Sequence, residues 1–266
     1  MQTVGEYIKN GGTDIVQIMS LVLNKSSASV ISNFDYQLND NEIIQLKKLI
    51  TKRELGIPFA YLSRTKGFYH LDFKVTESTL IPRPETELLV DIALELFDKN
   101  ATCDVVDLGT GSGAIAISIA DKRPNWNITA TDLSIDALVI AKQNKTSDII
   151  FKHGDWLDAV DNKKFNLIVS NPPYVADNDP HLEDLKFEPL SALTSGMDGL
   201  DDIRTIIEKA PRHLNNDGYL LLEHGHDQQI EITKLLSKNF HNIKAFKDYG
   251  QLDRAVLAQI KNEVGL

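Results

Sequence analysis

From about residue 81 onward, apolar residues follow two alternating periods. Runs at 103–108, 127–132, 149–152, 165–170, 218–223, 243–247 and 254–260 are short and rich in β-branched residues, the character of strands buried on both faces. Between them, segments near 85–98, 113–122, 134–143, 201–214 and 227–239 place apolar residues at helical spacing. Strand and helix patterns alternating in this way predict an α/β fold, a doubly wound sheet with right-handed crossovers. Ahead of it the pattern is helical only. Thr3 with Glu6 and Asn39 with Glu42 have capping-box spacing, and Ile15, Ile18, Met19 and Val22 share a face, as do Ile43, Leu46 and Ile50 before Gly56 and Pro58 stop the run. Phe68, Leu71, Phe73 and Val75 alternate with polar residues as in a hairpin. The expected organisation is a small helical bundle over 1–66, a β-hairpin linker over 67–80 and the α/β domain over 81–266. The bundle is either a packing appendage or a grip on a macromolecular substrate.

Composition narrows the setting. The 266 residues carry a net charge of −10, from 38 acidic against 28 basic side chains, which argues against a broad phosphate-tracking surface and a direct nucleic-acid partner. Cys103 is the single cysteine, so no intrachain disulfide forms and a reducing compartment is expected. The opening Met1-Gln2-Thr3-Val4-Gly5-Glu6 has neither signal nor transit character, and no apolar run reaches membrane-spanning length. A cytoplasmic monomer away from membranes is the expectation.

Chemistry concentrates at the ends of the predicted strands, where open α/β sheets bind ligands. The run Phe165-Asn166-Leu167-Ile168-Val169 leads into Ser170-Asn171-Pro172-Pro173-Tyr174. Neither proline has an N–H, and each pushes the residue before it toward an extended backbone, so this turn offers carbonyl oxygens without neighbouring donors. The Asn171 side-chain oxygen and the Pro172 carbonyl can each accept one hydrogen of a planar NH2 group, with the Tyr174 ring covering its face. An isolated Asn-Pro is usually only a turn; the full tetrapeptide after an apolar strand favours the clamp. Such a nitrogen is a weak nucleophile and needs an activated electrophile nearby.

The cofactor half begins with Asp107-Leu108-Gly109-Thr110-Gly111-Ser112-Gly113, a strand running into a glycine loop that opens a helix. Its glycines follow G-x-G-x-G, unlike the G-x-G-x-x-G of dinucleotide folds. Asp132 ends the next strand, where a carboxylate can accept both ribose hydroxyls. After the third strand, Asp155 can accept from an adenine amino group and Trp156 can pack along the base, although the same residues also suit an ordinary turn. A nucleoside trough beside an NH2 clamp fits S-adenosyl-L-methionine, with S-adenosyl-L-homocysteine as product, better than a nicotinamide dinucleotide. His224 and His226 lack a third ligand at metal-site spacing, so no metal is expected and Glu223-His224-Gly225-His226 reads as a structural strand end. Ser112 has no partners for covalent catalysis. Arg83, between Pro82 and Pro84, is available to hold a carboxylate or to position the following helix. The stretch 175–200, with Pro180, Pro189, Gly196 and Gly199, reads as a long irregular lid.

Leu80-Ile81-Pro82-Arg83-Pro84-Glu85-Thr86-Glu87, Asp107 to Ala116, Ser170 to Val175, Phe187-Glu188-Pro189-Leu190 and Leu221-Leu222-Glu223-His224-Gly225 together resemble the bacterial release factor glutamine methyltransferases, the PrmC/HemK family. The resemblance spans roughly 58–260. It implies a class I S-adenosylmethionine-dependent methyltransferase sheet behind a small helical domain. It also implies methylation of the amide nitrogen of the glutamine in the Gly-Gly-Gln motif of class 1 peptide-chain release factors. By that likeness Gly109, Thr110, Gly111, Ser112, Gly113, Asp132, Trp156 and Asn171 contact the cofactor, and Asp155 joins them from the turn reading above. The expected catalytic residues are Asn171, Pro172 and Tyr174; the likeness implies that Asn171, Pro172, Pro173 and Tyr174 hold the substrate, and Arg83 is expected to join them from the reading of its own segment. Asn-Pro-Pro-Tyr alone is shared with enzymes that methylate the exocyclic amine of adenine in DNA, so a DNA adenine methyltransferase is one alternative. A non-catalytic protein that docks release factors is the other.

Overall fold

The computed structural model describes residues 2–261, and the chain divides into two compact units, Met1–Thr65 and Lys66–Leu266. The first is helical: α1 (Val4–Asn10), α2 (Ile15–Leu23), α3 (Ser27–Ser32), α4 (Asp40–Glu54) and α5 (Phe59–Ser63). Both expected capping boxes form, Thr3 with Glu6 before α1 and Asn39 with Glu42 before α4, so orphan donors at each helix start are satisfied. Ile15, Ile18 and Met19 are buried with Val4, Val30, Leu38 and Leu46, and Val22, Ile43 and Ile50 pack at the edge of that core.

The second unit opens with the hairpin β1 (Thr65–Phe68) and β2 (Leu71–Lys74), turned at Tyr69 in the left-handed region. Phe68 and Phe73 meet edge to face and belong to the main core of this unit, so the hairpin packs within it. Then come α6 (Glu87–Glu95), β3 (Asp104–Leu108), α7 (Ala114–Lys122), β4 (Asn127–Asp132), α8 (Ile135–Asn144), β5 (Ile149–His153) and β6 (Phe165–Ser170). The chain finishes with α9 (Asp201–Lys209), β7 (Leu214–Glu223), α10 (Gln229–Ser237), β8 (Phe240–Lys247) and β9 (Asp253–Ile260). The seven strands lie in the order β5-β4-β3-β6-β7-β9-β8. Strands β3 to β7 pair in parallel, while β9 runs antiparallel between β7 and β8.

Alternating strand residues feed two cores. Val105, Leu167, Val169 and Leu221 face α6 and α7 residues such as Leu89 and Ile117. Val106, Ile168, Leu220 and Leu222 face Ile203, Ile206, Ile232 and Leu236 of α9 and α10. This two-sided burial is why the strands read as continuous apolar runs.

Of the boundaries that differ from the sequence pattern, three have a local cause. The helix expected to 214 stops at Lys209 and continues as a 3-10 turn over Ala210–His213, because Pro211 has no N–H for the helical ladder. Strand β7 starts at Leu214 rather than 218: Asp217 takes a left-handed backbone and a register shift opposite Phe165 and Leu167 absorbs the turn-like Asn215-Asn216-Asp217-Gly218. Strand β8 starts at Phe240 rather than 243, its irregularity at left-handed Asn242 being bridged by pairing with β9. Between β3 and β6 the strand order reverses direction, and their carboxyl ends, Leu108 paired with Ser170, open the crevice where a ligand is expected.

Candidate active site

The glycine loop leaves β3 through left-handed Gly109, Gly111 and Gly113. A side chain at Gly109 would come within 2.9 Å of the Trp156 ring, so that position needs both the backbone freedom and the missing Cβ of glycine. Beneath the loop Asp107 is buried. Its Oδ2 accepts from Thr110 Oγ1 at 2.6 Å and from the Ala116 N–H at 3.2 Å, tying the loop and the start of α7 to the strand end. Burial pushes its carboxyl up to about 7; these two hydrogen bonds pull the other way, and the nearby Asp132 charge adds to the rise.

Asp132, ending β4, accepts the Gly111 N–H on Oδ2 and the Ser134 N–H on Oδ1, both at 2.8 Å. Each oxygen keeps a second lone pair, so the carboxylate is held in place with acceptors left for a diol. Burial raises its pKa, against the Ser134 and Gly111 hydrogen bonds and the His153 ring. Past β5, Trp156 has a left-handed backbone, lays its ring against Gly109 and donates Nε1–H to Asp202 Oδ1 at 3.1 Å. Asp202 lies in the first turn of α9, its N–H held by Ser195 Oγ at 2.7 Å.

The clamp follows β6. Ser170 donates its hydroxyl to the Leu108 carbonyl at 2.8 Å, locking the two strand ends together. Asn171 donates Nδ2–H to Thr86 Oγ1 at 3.1 Å, which directs its Oδ1 away from that contact. Pro172 and Pro173 are buried. Tyr174 donates its hydroxyl to Glu223 Oε1 at 3.2 Å, and its carbonyl accepts from Gln228 Nε2 at 3.0 Å. Burial and then the Glu223 charge raise the Tyr174 hydroxyl well above its ordinary value. Glu223 itself is 1% exposed. Burial pushes its carboxyl up to about 7, against the Thr86 hydroxyl, the Arg254 charge and the Tyr174 hydroxyl, while the Glu85 charge adds to the rise.

A cleft of about 510 Å³ is lined by Gly109, Gly111, Asp132, Asp155, Trp156, Asn171 and Pro173, so glycine loop, acid, indole and clamp meet in one space. Thr110, Ser112, Gly113, Pro172, Tyr174 and Arg83 do not line it. Thr110 and Ser112 are buried behind the loop, where Thr110 binds Asp107 and the Ser112 carbonyl accepts from Asn144 Nδ2. Arg83 ion-pairs with Glu188, whose other oxygen accepts the Ile81 N–H at 2.9 Å. That pairing ties the 175–200 stretch to the segment before α6, and Pro189, Ser191 and Ala192 line the cleft together with Ser78, Thr79 and Leu80. Four residues of the site carried no functional reading from sequence: Thr86, Glu188, Asp202 and Glu223. For Glu223 a signal existed, an acid directly after the apolar run Leu220-Leu221-Leu222, but it read as a strand end. His224 keeps the structural reading, buried with Nδ1 beside the Gly225 carbonyl and Nε2 beside Gln229 Oε1. Among the described residues, no group of three or more His, Cys, Asp or Glu is arranged to hold a metal ion.

This order of strands with a glycine loop after the first, an acid after the second and Asn-Pro-Pro-Tyr after the fourth is that of the class I methyltransferases. A methyltransferase from Pyrococcus furiosus superposes with a TM-score of 0.57 at 20% identity, covering 79% of this chain and 98% of that one. The Thermus thermophilus 16S rRNA N2 G1207 methyltransferase, solved with AdoMet and guanosine, superposes at 0.55 with 16% identity, over 74% of this chain and 50% of that one. Residues 86–185 match the methyltransferase small domain family. The chain belongs to the release factor glutamine methyltransferase family. It is 42% identical over 251 residues to the Coxiella burnetii member, covering 92% of this chain and 91% of that protein. To the Vibrio cholerae member it is 41% identical over 278 aligned positions, covering 99% and 96%.

Proposed function

We propose that the protein transfers a methyl group from S-adenosyl-L-methionine to the side-chain amide nitrogen of the glutamine in the Gly-Gly-Gln motif of class 1 peptide-chain release factors. The observation that carries this reading is the Asn171 amide, its NH2 on Thr86 and its oxygen therefore available, in the cleft that Gly111 and Asp132 also line. Family membership supports the same substrate.

The cleft suits the cofactor. Gly111 has no protein atom within 4 Å of the side chain it lacks, so its backbone stays open to close approach, and Asp132 keeps acceptor capacity for the ribose hydroxyls. Asp155 and Trp156, the latter held by Asp202, would be the residues to hold the base. When bound, S-adenosyl-L-methionine supplies a methyl group on a positively charged sulfur. The chain's own residues do the rest: Asn171 Oδ1, in the cleft, accepts an amide hydrogen, and the stiff double proline that follows keeps the turn carrying it from collapsing. Each such hydrogen bond contributes roughly 0.5–1.5 kcal/mol net, so orientation of the nitrogen lone pair is the larger effect. The nitrogen becomes acidic only as the new bond forms, and its proton leaves to water without a strong base.

The working form in this reading is a cytoplasmic monomer. Buried Cys103 supports a reducing setting, the net charge of −10 supports a protein rather than nucleic-acid partner, and among the described residues no helix is long and apolar enough to cross a membrane. Intact-mass and peptide analysis of a release factor incubated with enzyme and cofactor tests the reading. One added methyl on the glutamine-bearing peptide is expected; an unmodified factor, or label transferred to DNA, contradicts it.

A further inference from the structure

Asp202 lines the cleft but belongs to neither the glycine loop nor the clamp. In the first turn of α9 it accepts the Trp156 indole N–H on Oδ1 at 3.1 Å, the one hydrogen bond its side chain makes among the described residues. Its backbone is held in turn. The Asp202 N–H donates to the hydroxyl of buried Ser195 at 2.7 Å, and the Ser195 N–H donates to the carbonyl of Val175, the residue after the clamp, at 3.0 Å. The acceptor for the indole is therefore fixed from the 175–200 stretch, not from the turn that carries the ring.

We propose that Asp202 is a positioning residue for cofactor binding: by holding the indole N–H it decides how the Trp156 ring is presented to the base. The inference rests on the reading of Trp156 as part of the base site. The torsion that turns an aromatic ring about its Cβ–Cγ bond is broad and roughly two-fold, so side-chain geometry alone does not choose between an indole and its turned-over form. The N–H and the Cζ3 atom lie on opposite sides of that ring. With the N–H on Asp202, the far edge comes to Gly109, where a Cβ would stand 2.9 Å from Cζ3 and 3.3 Å from Cη2. Turned over, the ring would carry its only polar atom away from the carboxylate. A donor-only group beside a charged acceptor makes the stronger kind of hydrogen bond, which selects the first arrangement. The base then meets a ring already in place, and binding does not have to order it.

Helix stability accounts for an acid in the first turn of α9, but Asp201 stands there too and pairs with Arg204 on the exposed side. Of the two, Asp202 lines the cleft. Trp156 also keeps a left-handed backbone, which is costly for a bulky residue and has to be over-determined by its surroundings. The hydrogen bond to Asp202 and the contact with Gly109 are two of the restraints that do so.

The test measures S-adenosyl-L-homocysteine affinity by calorimetry, steady-state methyl transfer and thermal midpoint for wild type, Asp202→Ala, Asp202→Asn, Trp156→Phe and the double variant of Asp202→Ala with Trp156→Phe. Asp202→Ala is expected to weaken S-adenosyl-L-homocysteine and raise KM for S-adenosyl-L-methionine by about tenfold, with kcat at saturating cofactor within about twofold of wild type. Asp202→Asn keeps an acceptor oxygen and should bind within about threefold of wild type. Phenylalanine has no N–H for Asp202 to hold, so the double variant should bind no more weakly than Trp156→Phe alone. A lowered thermal midpoint with unchanged affinity in Asp202→Ala marks a merely structural tie and overturns the proposal. So do an Asn variant as weak as the Ala variant, losses that multiply in the double variant, and a loss confined to kcat. Should Asp202→Ala fail to fold, the wild-type indole N–H resonance that is missing from Trp156→Phe decides: protection from solvent exchange before ligand is added is expected, and rapid exchange overturns the proposal. S-adenosyl-L-homocysteine that binds wild type without moving that resonance is a different result and overturns the base-site reading of Trp156 itself.

Discussion

The Asn171 side chain makes one hydrogen bond among the described residues, as a donor, and keeps its oxygen for the cleft, so its replacement has a narrow expected effect. Asn171→Ala should retain S-adenosyl-L-homocysteine affinity within a few-fold while methyl transfer falls by about 100-fold, since it removes an oriented acceptor and with it part of the alignment. Calorimetric titration beside a single-turnover assay checks both halves. The buried acids make a second prediction. Asp107 and Glu223 are each pushed up to about 7, mainly by burial, so between their unfolded values and 7 the folded chain binds protons more readily than the unfolded one. Their sites are therefore least destabilising in acid and lose stability as pH rises through about 7. His224, lowered by burial, has the opposite effect only below its ordinary value. Acidifying from pH 8 to 6.5 should stabilise the protein by on the order of 1 kcal/mol for each of these two carboxyls. The thermal midpoint should rise accordingly, and by less in Glu223→Gln; a midpoint that is flat or falls over that interval contradicts the assignment.

At the scale of elements, the site is assembled by ties between segments far apart in sequence. The 175–200 stretch folds over itself through 3-10 turns at Pro180–Glu183 and Leu190–Ala192 and a bridge between Val175 and Thr194. Glu188 then fastens it to Ile81 and Arg83. The Glu188 side chain is 3% exposed and Arg83 33%, so the pair is buried on one side only. Glu188→Ala strands the Ile81 N–H and the guanidinium and should cost roughly 2–3 kcal/mol of stability, less than a fully buried pair because water reaches Arg83. It should also loosen the wall made by Pro189, Ser191 and Ala192, which hydrogen exchange of 185–195 measures. Unchanged exchange and stability in that variant would count against the tie.

Across the molecule, every residue that lines the cleft belongs to Lys66–Leu266. Adding S-adenosyl-L-homocysteine should therefore slow hydrogen exchange around 78–80, 109–111, 132–137, 154–156, 171 and 190–202. It should leave Met1–Thr65 unchanged, and protection centred on the helical unit would relocate the cofactor site. At a hundredfold excess over its dissociation constant the ligand should add about 2.7 kcal/mol to stability.

The alternation of periods and the capping boxes were legible without a structure, and so were the glycine loop, Asp132 and the donor-free turn at Asn171 to Tyr174. Each is a local property: periodicity, backbone freedom and missing donors are written within a few residues. The depth of Thr110 and Ser112 behind the loop, the pairing of Arg83 with Glu188, and the meeting of Thr86, Tyr174 and Glu223 were decided by tertiary structure. A buried polar group takes its partner from whatever element packs beside it, and for Arg83, Asn171 and Tyr174 the partners stand 49 to 105 residues apart along the chain. No local pattern encodes such a distance; the sheet order does, by bringing the ends of β6 and β7 side by side with the turn before α6.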